Sequence, residues 1–163
     1  KLSMLPVLNT PLFKELVFHY EQFYKLQPLT ARIYALLILN NCSKGLSFEN
    51  LHETLEVSKS SVSHSINTLL DLNFIEQFKL NNERKRYFRI HKNFFLMRLE
   101  EVNVRLIREK EINEKLKEYR KEDGDTMFHK DEFDYYLTHL HDVTSSVEKT
   151  IENLKLHIIH HEK

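Results

Sequence analysis

Ser47-Phe48-Glu49-Asn50-Leu51-His52-Glu53-Thr54-Leu55-Glu56-Val57-Ser58-Lys59-Ser60-Ser61-Val62-Ser63-His64-Ser65-Ile66-Asn67-Thr68-Leu69-Leu70 reads as two helices joined by a sharp turn. Ser47 stands where a helix N-cap is expected, Glu56-Val57 makes the turn, and Ser58 caps the second helix. Leu51, Leu55, Val57, Val62, Ile66, Leu69 and Leu70 predict a small core, with apolar Val57 pinning the two helices at the turn. Past the second helix, Phe74-Ile75-Glu76-Gln77-Phe78 and Lys85-Arg86-Tyr87-Phe88-Arg89-Ile90 read as strands flanking a charged turn from Leu80 to Arg84. This order outlines a winged helix-turn-helix. In that motif the second helix lies in the DNA major groove, and the hairpin wing reaches toward the backbone or minor groove.

The residue types suit that use. In a recognition helix over about 58–71, Val62 and Ile66 face the core, while Lys59, Ser60, Ser61, Ser63, His64 and Asn67 face outward. Serine contacts bases or phosphates, and asparagine pairs bidentately with adenine. Lys59 suits a phosphate, or guanine if turned inward. Ser58 caps the helix, and the backbone amides exposed there can receive a phosphate. In a wing over about 78–90, Arg84 and Lys85 sit nearest the turn, with Arg86 and Arg89 as candidates for the DNA backbone. Alternation places Lys85 and Tyr87 on one face and Arg86 and Phe88 on the other, leaving open which is buried.

Upstream, Thr10-Pro11 is a helix start, a hydroxyl cap followed by proline at the first helical position. The helix extends to about Lys25, with Leu12, Phe13, Leu16, Val17, Tyr20, Phe23 and Tyr24 at amphipathic spacing, and Gln27-Pro28 ends it. Thr30 is expected to cap the next helix, Ala31 to about Asn41, which is apolar on most sides and therefore central. Asn40, Asn41 and Gly45 supply its stop signals.

Downstream, a long charged helix is expected from Lys92 to about Glu122. It carries the apolar stripe Phe95, Leu99, Val102, Leu106, Ile112, Leu116 and Tyr119, and Asp123-Gly124-Asp125 breaks it. A last helix, about Lys130 to His160, has the seam Phe133, Leu137, Leu140, Thr144, Val147, Ile151, Leu154, Ile158, whose steps alternate four and three. That is the heptad pattern of a coiled coil or bundle. So narrow a seam must pack on the preceding helix, on a second subunit, or on both. Both are expected, because DNA readers of this type bind paired half-sites as dimers. The apolar seam residues are thus the dimerisation candidates. The chain divides into a winged helix-turn-helix domain over 1–92 and a helical dimerisation region over 93–163, a mainly α architecture.

Composition sets limits. Of 163 residues, 41% are hydrophobic, and there are only 2 Gly and 3 Pro, so long uninterrupted helices are expected. No apolar run approaches the roughly 18 residues of a membrane helix, and the start, Lys1 to Pro6, lacks the apolar core of a signal peptide. The single cysteine, Cys42, excludes an internal disulfide and fits a reducing cytosol. Formal net charge is +0, which argues against a protein that coats nucleic acid in general. Between Lys79 and Arg98, however, Lys79, Arg84, Lys85, Arg86, Arg89, Lys92 and Arg98 meet one acid, Glu83. Such local positive charge is what phosphate neutralisation requires.

Several segments together resemble the GbsR/MarR-like bacterial transcriptional regulators. Leu29-Thr30-Ala31-Arg32-Ile33-Tyr34-Ala35-Leu36-Leu37 resembles the entry helix of that family. Leu46-Ser47-Phe48-Glu49-Asn50-Leu51 resembles its first motif helix, and Val57-Ser58-Lys59-Ser60-Ser61-Val62-Ser63 the start of its recognition helix. Glu83-Arg84-Lys85-Arg86-Tyr87-Phe88 is similar to its wing. The likeness spans about Pro28 to Leu106. It implies a cytoplasmic, dimeric, winged-helix DNA binder that regulates transcription. Some members respond to small quaternary ammonium compounds such as choline, so a small-molecule effector is a further partner the resemblance implies. Caging such a cation needs several aromatic faces around one pocket. Phe13, Phe18, Tyr20, Phe23 and Tyr24 on the first helix offer rings, though their spacing equally suits core or dimer packing.

Other chemistries find less support. His157, His160 and His161 could share a helix face, but no cysteine or paired acid besides Glu162 completes a metal site, so no metal or cofactor is expected. There is no glycine-rich phosphate loop, zinc-protease motif or nucleophile elbow, and Ser63-His64-Ser65 point different ways on a helix, so no enzyme is expected. The competing class is a coiled-coil interaction or assembly module whose winged helix binds protein rather than DNA.

Overall fold

Thr10 and Pro11 open a helix as their chemistry dictates. In the computed structural model, which describes residues 5–40, 45–80, 84–122 and 130–161, the Thr10 hydroxyl accepts from the Phe13 amide at 3.2 Å. The resulting helix α2 (Pro11–Tyr24) follows a short α1 (Leu5–Leu8) and ends on left-handed Lys25. Next, α3 (Pro28–Leu39) begins earlier than expected. Its cap is Gln27, held extended by the following proline, which itself supplies the first helical φ. Thr30 is therefore not a cap. It lies inside the first turn, 1% exposed. The centrality expected of this helix holds: Ala31, Ile33, Tyr34, Ala35, Leu36 and Leu37 are all buried.

The helix ends on Asn40 as its C-cap, and Gly45 serves a different purpose. Its φ is +58°, and a Cβ there would lie 2.5 Å from the Phe88 carbonyl oxygen and 2.9 Å from the Phe78 ring. Only glycine allows that approach, and it delivers a two-residue strand, β1 (Leu46–Ser47), which sequence periodicity did not reveal. Ser47 also caps α4 (Phe48–Leu55) in a full capping box with Asn50. Glu56, at φ 54°, makes the turn into α5 (Lys59–Asp71). The wing strands are β2 (Ile75–Phe78) and β3 (Tyr87–Ile90). Sheet order is β1-β3-β2, all antiparallel, with Leu46 opposite Phe88 and Phe78 opposite Tyr87. Phe88, Ile75, Leu46, Leu51, Val62 and Leu69 complete the core. An edge-on stack of Tyr20 and Tyr34 (4.6 Å between centroids) continues through Phe74 to Tyr24.

The chain divides into two compact units, residues 1–92 and 93–163. The second unit is an antiparallel hairpin of α6 (Phe94–Glu122) and α7 (Lys130–His161). On α7 the seam behaves as its period demands: Leu137, Leu140, Thr144 and Ile151 are buried, and the Thr144 hydroxyl donates to the Leu140 carbonyl at 2.6 Å. The expected stripe on α6 is only partly its inner face. Leu99, Leu106 and Leu116 are half-buried, while Phe95 (72%) and Tyr119 (66%) are exposed. Lys110, Asn113 and Lys117 on the same helix are half-buried as well. Polar pairs cross the hairpin along its length: Lys117 to Asp134 at 2.6 Å, Glu114 to His141 at 3.0 Å, Glu100 to Lys155 at 2.8 Å. No helix among the described residues is long and apolar enough to cross a membrane. Cys42, Glu83, the Asp123-Gly124-Asp125 break and Glu162 lie outside the described residues.

Candidate nucleic-acid interface

Ser58 is extended (φ −63°, ψ 149°), so its side chain turns back and accepts from the Ser61 amide at 3.2 Å. Its Oγ also lies 2.9 Å from that of Ser60 and 2.8 Å from that of Ser61, a hydroxyl cluster on the exposed first turn of α5. At about 100° per residue, Ser60, His64, Asn67 and Asp71 fall on one line, and all four are exposed. The opposite arc, Val62, Ser65, Ile66 and Leu69, is buried. Lys59 and Ser61 are exposed near the start of the line, whereas Ser63 sits half-buried on the flank. Thr68 on the other flank is occupied, its hydroxyl donating to the His64 carbonyl at 3.1 Å. Asp71 was missed by sequence reasoning, although four residues after Asn67 is where the next outward side chain must fall.

Two supports behind this face pair residues that the sequence keeps apart. At the turn, the His52 ring Nδ1 donates to the Val57 carbonyl at 2.5 Å, bracing α4 against the entry to α5. Inside, the Thr30 hydroxyl of α3 donates to Ser65 Oγ on α5 at 3.1 Å.

The wing resolves the question of its two faces. Opposed residues share a face, so Glu76, Phe78, Tyr87 and Arg89 lie together and partly exposed, while Phe88 and Ile75 are buried on the other side. Arg89 is occupied within this outer face. Its Nε is 2.6 Å from Glu76 Oε1, and its guanidinium stacks 4.6 Å over the Phe78 ring. Arg84, Lys85 and Arg86 precede the strand, exposed, and make no ion pair with a described residue; Lys79 is exposed as well. The wing tip thus holds charges available to an anion, and α5 holds donors and acceptors suited to base edges.

The aromatic residues of α2 do not converge on one cage. Phe13 and Tyr20 are buried and Tyr24 joins the core stack, whereas Phe18 (61%) and Phe23 (73%) are exposed. Among the described residues no cluster of three metal-ligating side chains occurs.

No protein-family model matches the chain, and neither does any characterised protein sequence. Among solved structures it is similar to one described as a transcriptional regulator, with TM-score 0.49 and 19% identity over 88% of this chain and 92% of that one. It is similar also to TrmBL2, an archaeal chromatin protein, with TM-score 0.45 and 18% identity over 72% of this chain and 45% of that one. A third is Streptococcus pneumoniae FabT in complex with DNA, with TM-score 0.38 and 17% identity over 91% and 92% of the two chains.

Proposed function

We propose that this chain is a DNA-binding transcriptional regulator that binds operator DNA as a homodimer in the cytoplasm. The observation that carries the reading is the combination on one unit of an outward polar line on a hydroxyl-capped helix with exposed cations, Arg84, Lys85 and Arg86, beside the wing tip. In this reading α5 enters the major groove. Ser60, Ser61, Ser63, His64 and Asn67 meet base edges, Ser58 and Lys59 meet phosphate at the helix start, and Arg84, Lys85 and Arg86 hold the backbone or minor groove.

Dimerisation is assigned to the α7 seam residues Phe133, Leu137, Leu140, Val147, Ile151, Leu154 and Ile158. Within one chain α6 already covers Leu137, Leu140 and Ile151. Half-buried Phe133, Val147, Leu154 and Ile158, with exposed Leu156 and Ile159, are what remains for a second copy. The GbsR/MarR-like assignment, and control by a small-molecule effector with it, rests on the four resembling segments alone.

A second reading, a protein-binding winged helix on a coiled-coil stem, draws on the net charge of +0 and on exposed Phe95, Tyr135 and Leu156. Fluorescence anisotropy on promoter-length genomic DNA and on random duplex, across a salt series, separates the two. Regulation predicts sequence-selective binding that weakens steeply with salt. Binding to neither duplex at low salt would move the weight to the protein partner.

A further inference from the structure

We infer that Thr30 and Ser65 are positioning residues that set the rotation of the recognition helix, and through it the sequence preference of the protein. The inference rests on the DNA-binding reading above. The inner arc of α5 is otherwise apolar, made of Val62, Ile66 and Leu69. Apolar packing holds α5 against α3, and a buried hydrogen bond adds to it a constraint that is sharply directional. Across the two helices the Thr30 hydroxyl donates to Ser65 Oγ at 3.1 Å, with the residues 1% and 3% exposed.

Ser65 lies roughly opposite the His64–Asn67 line, so the bond acts as an indexing pin behind the reading face. The lever is short and effective. With side chains, a helix has a radius of about 5–6 Å, and a turn of about 20° moves an outward tip by about 2 Å. That displacement breaks a base hydrogen bond, whose useful range is only a few tenths of an ångström wide. It barely disturbs a flexible lysine or arginine on a phosphate. Stability alone does not call for the pair, because replacing both hydroxyls with apolar groups of similar shape is close to neutral.

The test is the double variant Thr30→Val with Ser65→Ala in the full chain, beside the conservative Thr30→Ser. Binding to an operator selected from genomic DNA and to random duplex gives a selectivity ratio, and amide NMR shifts along residues 59–71 report the setting of the helix without DNA. We expect the double variant to melt within about 4 °C of the parent and to lose about tenfold in selectivity, the scale of one base contact, with random-duplex affinity unchanged. Thr30→Ser should keep the parent ratio. An unchanged ratio in the double variant overturns the inference, as does an equal loss on both duplexes. If the parent protein binds neither duplex, the regulatory reading fails separately. The amide shifts then decide whether the pair sets the helix: displaced signals at His64 and Asn67 support it, and shifts confined to Ser65 and its immediate neighbours refute it.

Discussion

Each exposed side chain of the proposed interface makes a different claim. Arg84 is a solvated cation near the wing tip, so Arg84→Ala should weaken operator and random duplex alike and reduce the salt slope by about one. Asn67→Ala and Ser61→Ala remove groups with directional donors or acceptors. They should instead change sequence preference, costing roughly 1–3 kcal/mol at one base. Competition binding with single-base operator variants distinguishes these patterns, and uniform loss in all three would refute the division of labour. Gly45 makes a structural claim. An alanine there meets both a left-handed φ of +58° and a carbonyl oxygen 2.5 Å away. We expect Gly45→Ala to destabilise the first unit by roughly 2–4 kcal/mol in urea unfolding, and a loss under about 0.5 kcal/mol would mean that β1 can move aside. Neither Thr30–Ser65 nor His52–Val57 was legible in advance, since each joins side chains or backbone whose meeting depends on how elements pack or turn.

Elements with local instructions were readable. Thr10-Pro11, Ser47 and Ser58 announce helix starts through their own hydrogen-bonding chemistry, and the structure uses all three as caps. Helix α5 and both wing strands follow from periodicity within a few residues. What escaped depends on distant partners. β1 is two residues long and exists because β3 pairs with it, so no period could signal it. Thr30 looked like a cap because its residue type is right for one, but the proline two positions earlier had already started the helix. The α6 stripe takes in large apolar residues alone, whereas Lys110 and Lys117 are half-buried too and Val102 and Ile112 of the stripe are exposed. This last point gives the hairpin unequal energetics. Leu140→Ala, at a buried seam position, should cost about 2–5 kcal/mol. Lys117→Ala removes a half-exposed ion pair with Asp134 and should cost less than about 1 kcal/mol. Equal losses in denaturant titrations of the two variants would show that charge, not apolar burial, holds α6 to α7.

For the molecule as a whole, a net charge of +0 means that the proposed attraction to DNA must come from a few placed cations and not from a general positive field. With Lys59, Arg84, Lys85 and Arg86 as phosphate ligands, the log–log salt slope should be about −4 per protomer. A much steeper slope would require cationic contacts from elsewhere on the chain. The sheet order has a further consequence. β3 sits between β1 and β2, so its position is secured from the β1 side independently of the tip that joins it to β2. A hairpin standing alone would shift its pairing whenever its connection changed length. This one should accept a graft of several residues between Leu80 and Arg84 with Tyr87 still opposite Ser47, leaving the unfolding midpoint where it was. The tip is thereby a replaceable cassette, in which reach and charge toward a DNA duplex can be rewritten while the fold behind it stays the same.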